Sequence, residues 1–187
     1  MRWEPDAVGR LAQAAMELFA ERGFDRTTVA EIAQRAGLTE RTFFRYFTDK
    51  REVLFGGSER LLELIVGTLA DAPPAAPPID QVAAALGAAA GVLEERRDFS
   101  RQRQAVIAAN AELRERELIK LAGWATALAE GLRRRGVREP AASLAAEAGV
   151  AVFKIAFERW LADSNKRRLT TLMRDSFAQL KTVSAGA

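Results

Sequence analysis

The chain of 187 residues contains no cysteine and no histidine. These two absences remove disulfides, thiolate and imidazole metal sites, iron–sulfur clusters, Ser-His and Cys-His nucleophile pairs and any histidine proton shuttle. Acid–base chemistry would have to come from Asp and Glu alone, and no carboxylate pair falls in a convincingly apolar setting. No enzymatic activity, metal or cofactor is therefore expected. Long apolar runs are missing too. The most apolar stretch, residues 141–162, is interrupted by Glu147, Lys154, Glu158 and Arg159, whereas a bilayer-spanning helix needs about 20 consecutive apolar residues. The opening segment carries Arg10, Glu17, Glu21 and Arg22 and no apolar signal core. A cytoplasmic protein without a membrane partner is expected.

Strand signals are almost absent: no sustained period-two alternation of β-branched residues occurs, while stripes of period 3.6 recur from end to end. The fold class is all-α, with about nine helices. A hydrophobic content of 49% in this length buries a sizeable core. The formal charge of only +3 makes the position of the basic residues more informative than their number.

The first helix is expected over residues 6–22, with Asp6 as N-cap and Gly23 as a left-handed stop. Thr28 and Glu31 form a capping box for a second helix ending at Gly37. A third helix is expected over residues 39–47, and Asp49 with Glu52 should cap a fourth that runs to Leu69. Two Pro-Pro pairs, at 73–74 and 77–78, break the chain. Helices follow over residues 79–93, 98–109, 110–135 with Asn110 as cap, 141–161 and 166–181. The expected division is an N-terminal domain over residues 1–48 and a C-terminal domain over 49–187.

Helices two and three are short, joined by a tight Gly37-Leu38-Thr39 connection and preceded by a longer support, which is the arrangement of a helix-turn-helix. Ala33 is small where the helices cross, Ile32 and Leu38 point toward helix one, and Phe43 and Phe47 at i and i+4 anchor helix three. The opposite face displays Glu40, Arg41, Thr42, Phe44, Arg45 and Tyr46. Arg41 and Arg45 can donate to guanine edges or phosphates, Thr42 can do either, and Phe44 can pack on thymine methyl groups. Thr28, Tyr46 and Lys50 are expected at backbone phosphates. From residue 35 to residue 51 basic residues exceed acidic ones by three, so the weak global charge is focused here.

The run Leu18-Phe19-Ala20-Glu21-Arg22-Gly23-Phe24, then residues 27–33, then Ala36-Gly37-Leu38, and Thr42-Phe43-Phe44-Arg45-Tyr46-Phe47 with Lys50 closely resemble the N-terminal domain of TetR-family transcriptional regulators. The resemblance covers residues 8–55. It implies a homodimeric, all-helical regulator whose N-terminal helices bind a palindromic double-stranded DNA operator and whose C-terminal helices bind a small-molecule effector. Many members carry Tyr where this chain has Phe44 and His where it has Tyr46, so a phosphate contact made by a hydroxyl at 44 would pass to Tyr46.

In the C-terminal half, Ile65, Phe99, Arg103, Ile107, Trp124 and Leu128 are the expected lining of a ligand pocket. Trp124 is singled out because a large amphipathic ring in an Ala-rich helix can wall a cavity. The segment 141–162 has five polar residues among 22, too few for a solvated face, and should be covered on two sides. Val152, Phe153, Phe157 and Trp160, with Met173 and Phe177 of the last helix, are the expected dimer interface. Two-fold symmetry would place two recognition helices about 34 Å apart. Arginines at 96, 97, 101, 103 and 133–135 are either dipole-complementing helix ends or a phosphate site. Residues 110–117, 124–128 and 159–163 resemble the C-terminal domain of mycofactocin-type regulators, a subgroup associated with acyl-coenzyme A ligands. A long-chain acyl-coenzyme A is the expected effector, with simple hydrophobic drugs second. A helical protein-interaction module without specific DNA binding is the competing reading.

Overall fold

A computed structural model describes residues 6–162 and 164–185; Asp163, the last residue of the 159–163 run, and the opening residues 1–5 lie outside the described residues. Helices run over Ala7–Arg22 (α1), Val29–Arg35 (α2), Glu40–Tyr46 (α3), Glu52–Phe55 (α4), Ser58–Asp71 (α5), Pro78–Glu94 (α6), Arg97–Ala108 (α7), Ala111–Arg134 (α8), Ala141–Leu161 (α9) and Leu169–Ser184 (α10). No strand occurs among the described residues. Among the described residues there are nine helices, as expected, and the single turn α4, which arises because the helix drawn from 49 to 69 breaks at Gly56-Gly57.

The chain divides into two units, and the division is not a single cut at residue 48. One unit comprises residues 1–58 together with 101–116; the other comprises 59–100 and 117–187. The end of α7, the link at 109–110 and the start of α8 thus belong with the helix-turn-helix. Local residue patterns do not reveal this, since α7 and α8 each read as one uninterrupted helix.

In the first unit the helix ends follow the side-chain chemistry. Asp6 accepts from Gly9 N–H at 3.1 Å, and Thr28 accepts from Glu31 N–H at 3.3 Å while Glu31 accepts from Thr28 N–H at 2.9 Å, closing the capping box. Thr39 caps α3 by accepting from Thr42 N–H. Each such cap is worth about 1 kcal/mol. Asp49 accepts from the N–H groups of Arg51 and Glu52, but Glu52 does not reciprocate and turns instead to Arg116. Leu11, Leu18, Phe19, Ile32, Ala33 and Phe43 form the buried interior.

The second unit packs α6, α9 and α10 together with α5 and α8 around one core that includes Ile65, Leu86, Trp124, Leu128, Phe153, Trp160, Leu172 and Phe177. Small residues set the helix separations. A Cβ at Gly149 of α9 would overlap the Val82 side chain of α6, so glycine is what lets these two helices approach this closely. Gln81, buried near the start of α6, donates to Ala76 O and accepts from Arg135, which also donates to Ala70 O and Ala72 O at the end of α5.

Candidate nucleic-acid interface

Helix α3 separates two kinds of aromatic residue within one turn. Phe43 is 0% exposed and Phe47 is buried, with ring centroids 5.3 Å apart, whereas Phe44 is 55% exposed and meets Phe43 edge-on at 5.5 Å. Glu40, Arg41, Arg45 and Tyr46 are exposed around it and Thr42 is half-buried. Of the face expected on α3, all but Thr42 thus lie exposed. Arg45 donates to the Tyr46 hydroxyl at 2.8 Å and lies 4.7 Å from its ring centroid. The turn into α3 has Gly37 at φ +67°, a conformation that disfavours a side chain. Its carbonyls at Ala36 and Gly37 accept from Arg10 of α1. Arg10 holds the turn to α1 and was not expected; it is a lone arginine at the edge of an apolar stripe, a position usually read as solvated.

Lys50 corrects the sequence expectation. Its ammonium donates to the carbonyls of Phe24 at 2.7 Å, Thr27 at 2.8 Å and Asp25 at 3.2 Å, and lies 4.4 Å from the Phe24 centroid. Three donors on three acceptors leave this group holding the α1–α2 loop rather than projecting toward a phosphate. Thr28 is exposed, and its hydroxyl is engaged with Glu31. Two of the basic residues counted toward the local charge excess are also engaged elsewhere. Arg35 pairs bidentately with Glu21 at 2.8 and 2.9 Å and reaches Glu17 at 3.3 Å, while Arg51 pairs with Asp49 at 2.8 Å. The Arg35 hydrogen bonds hold the Glu21 carboxyl below the usual range. The charge on the outward face rests with Arg41 and Arg45.

The six residues expected to line one pocket divide between the units. Arg103 and Ile107 lie in the first, Ile65, Phe99, Trp124 and Leu128 in the second. Trp124, Ile65 and Leu128 are buried in the second unit's core, with Trp124 edge-on to Phe153 at 5.2 Å. Phe99 is half-buried beneath Arg96. The arginine clusters have structural partners: Arg97 donates to the carbonyls of Trp160, Ala162 and Asn165 at the end of α9, Arg103 to Leu54 O, and Arg133 to Glu139. Arg97 and Arg103 thus serve carbonyls of other segments, and Arg133, in the last turn of α8, is held by a carboxylate. Ile119 of α8 is 65% exposed.

The expected dimer residues are corrected in the same way. Val152, Phe153, Trp160, Met173 and Phe177 are buried within this one chain and Phe157 is half-buried, stacked on Phe153. What α9 leaves outward is a different stripe. Leu144 at 66% and Ile155 at 53% are exposed, with exposed Ala151 and half-buried Ala148 between them. Both stripes are apolar and run along the same helix, so residue type alone did not separate them.

Comparison with known proteins places this geometry in a family. The chain matches "Bacterial regulatory proteins, tetR family" over residues 11–55 and "MftR C-terminal domain" over residues 76–185, the latter more than half of its length. The chain belongs to the TetR family. It is 31% identical over 160 residues to the mycofactocin biosynthesis transcriptional regulator MftR of Mycobacterium tuberculosis, covering 83% of this chain and 80% of that one. Among solved structures it is similar to Thermus thermophilus FadR, a transcriptional repressor in complex with lauroyl-CoA, with a TM-score of 0.58, 25% identity and 93% of both chains covered. Bacillus subtilis FadR in complex with stearoyl-CoA shares the fold, with a TM-score of 0.64 and 21% identity over 92% of this chain and 96% of that one. TetR-family members are transcriptional regulators rather than enzymes. No helix among the described residues is long and apolar enough to cross a membrane.

Proposed function

We propose that this TetR-family regulator is a cytoplasmic repressor that binds a palindromic DNA operator as a homodimer and is released by a hydrophobic or acyl-coenzyme A effector. The observation that carries the reading is the outward face of α3. Phe44 meets Phe43 by one edge but is 55% exposed between Arg41 and Arg45, and apolar contact with thymine methyls flanked by donors to guanine suits it. The first unit is assigned to DNA, the second to dimerisation and effector binding. In the dimer, the stripe Leu144, Ala148, Ala151 and Ile155 of α9 packs against its copy, with alanines allowing close helix approach. The acyl-coenzyme A assignment draws on the FadR ligands and the MftR C-terminal match. Because Arg97, Arg103, Arg133 and Arg135 are engaged with other groups of the chain, the acyl chain rather than the headgroup is the part for which the apolar helices provide.

The test is selection of fragments by the purified chain from a random double-stranded library. Enrichment of a palindrome, lost in Arg41→Ala and Arg45→Ala variants of native circular dichroism, supports the reading. Enrichment of nothing, or equal enrichment by both variants, overturns it. For the effector, calorimetry against saturated acyl-coenzyme A of increasing chain length should show tighter binding with length; equal binding by coenzyme A alone rules the assignment out.

A further inference from the structure

Helices α7 and α8 each belong to both units: the boundary falls after Ser100 in α7 and after Arg116 in α8. The tip they share, residues 101–116, is built into the DNA-reading unit. Ile107 and Leu113 are buried there. Asn110 caps α8 by accepting from Leu113 N–H at 3.3 Å and donates to Asp25 in the α1–α2 loop at 3.2 Å. The main attachment is at α4. Arg103 of α7 donates to Leu54 O at 2.5 Å, and its guanidinium lies 5.0 Å from the Phe55 ring centroid. Arg116 of α8 lies 5.0 Å from the same centroid and pairs with Glu52. One buried ring thus holds two guanidiniums delivered by two different helices.

We infer that Phe55, Arg103 and Arg116 form a clamp of positioning residues that fixes α4, and through it α3, in the conformation that reads DNA. Helix α4 is a single turn, too short to be stable alone, so its place is dictated by what grips it. A change in the angle between α7 and α8 cannot leave both guanidiniums on one ring. Phe55 must follow one helix and leave the other, and the chain from Tyr46 to Glu52 moves with it. In the effector-bound state the clamp is the element whose two arrangements differ, as a ligand-driven shift requires; this last step rests on the effector reading above.

The experiment measures operator affinity, on the fragment selected by the wild-type chain, for Arg103→Met, Arg116→Met and Arg116→Lys, with and without stearoyl-coenzyme A. The methionine variants keep an apolar stem against Phe55 and lose the cation. Each should bind the fragment about tenfold more weakly without effector, at unchanged helix content, with Arg116→Lys recovering most of the loss. Stearoyl-coenzyme A should weaken wild-type binding by about 5- to 150-fold and the methionine variants markedly less, while its own affinity for the DNA-free variants does not fall. Wild-type operator affinity in both methionine variants overturns the clamp, as does an effector response equal to wild type. A wild-type chain indifferent to stearoyl-coenzyme A defeats the effector assignment instead, and the effector-free affinities still decide the clamp.

Discussion

The two units use apolar side chains under different constraints. In the helix-turn-helix unit, α2 and α3 have seven residues each, so a helix that short must spend its few apolar residues inward. An aromatic such as Phe44 left outside then stands out. In the second unit α9 has 21 residues, nearly all apolar or small, and two stripes of similar composition compete for the core. There the chain's own helices bury the bulky stripe with Phe153 and Trp160 and leave Leu144 and Ile155 exposed. Short helices make function readable from residue type, and long apolar helices do not.

The largest effect is expected at Trp124. As a core residue packed on Phe153, Trp124→Ala should cost about 3–5 kcal/mol, a large part of a typical total of about 5–15 kcal/mol, in a denaturant melt. A cost under about 1 kcal/mol would return Trp124 to the wall of an open cavity.

Next in size is the distinction between the stripes of α9. Leu144→Glu with Ile155→Glu should weaken dimers by about 2 kcal/mol or more, as loss of central interface anchors does, and light scattering should find folded monomers. Trp160→Glu, by contrast, should lose native circular dichroism. Dimers surviving the first pair of changes would move the interface elsewhere.

Much of the first unit was legible in the sequence because its determinants are local. Asp6, Thr28 and Asn110 cap the helices expected of them, Gly37 takes the positive φ, and Phe43 and Phe47 turn inward while Phe44 turns out. What escaped were partners distant along the chain. Arg10 on the 36–37 carbonyls, Lys50 on the 24–27 loop and Arg103 on Leu54 are side chain to backbone bonds spanning 23 or more residues, and an exposed carbonyl has no signature in residue type. The residues expected at the second unit's pocket and dimer interface are buried or half-buried within the chain, and residue type could not separate these roles, because a buried apolar residue looks the same whichever surface covers it.

Lys50 supplies a smaller and sharper test. Lys50→Ala should destabilise the fold by about 1–3 kcal/mol by leaving carbonyls of the α1–α2 loop unpaired, whereas Arg41→Ala and Arg45→Ala should stay within about 0.5 kcal/mol. Thermal melts separate these outcomes; a neutral Lys50→Ala that loses only DNA affinity would restore its phosphate role.

The smallest effect is that of pH. Glu31 is held below its ordinary value by the Thr28 N–H, Glu21 by Arg35, and Glu94, despite its burial, by hydrogen bonds from Thr170 and Arg168. Lowered carboxyl values contribute stability above the ordinary carboxylate range, and it is lost as pH falls below about 4. With no histidine, the melting temperature should be nearly flat from about pH 6 to 8 and decline only in acid; a midpoint near neutrality would contradict this assignment of the titrating groups.

The central claim is that the outward face of α3 reads DNA through Arg41 and Arg45. The most direct measurement is the salt dependence of binding to the selected duplex by the wild-type chain and by Arg41→Ala and Arg45→Ala. Wild-type affinity should fall steeply and linearly in log–log form, and each phosphate contact removed should reduce the slope by about 0.9 per subunit. An arginine that reads a base should instead lose its preference at one operator position. A wild-type affinity that barely changes with salt, or variants that match wild type in slope, strength and sequence preference, would contradict the account.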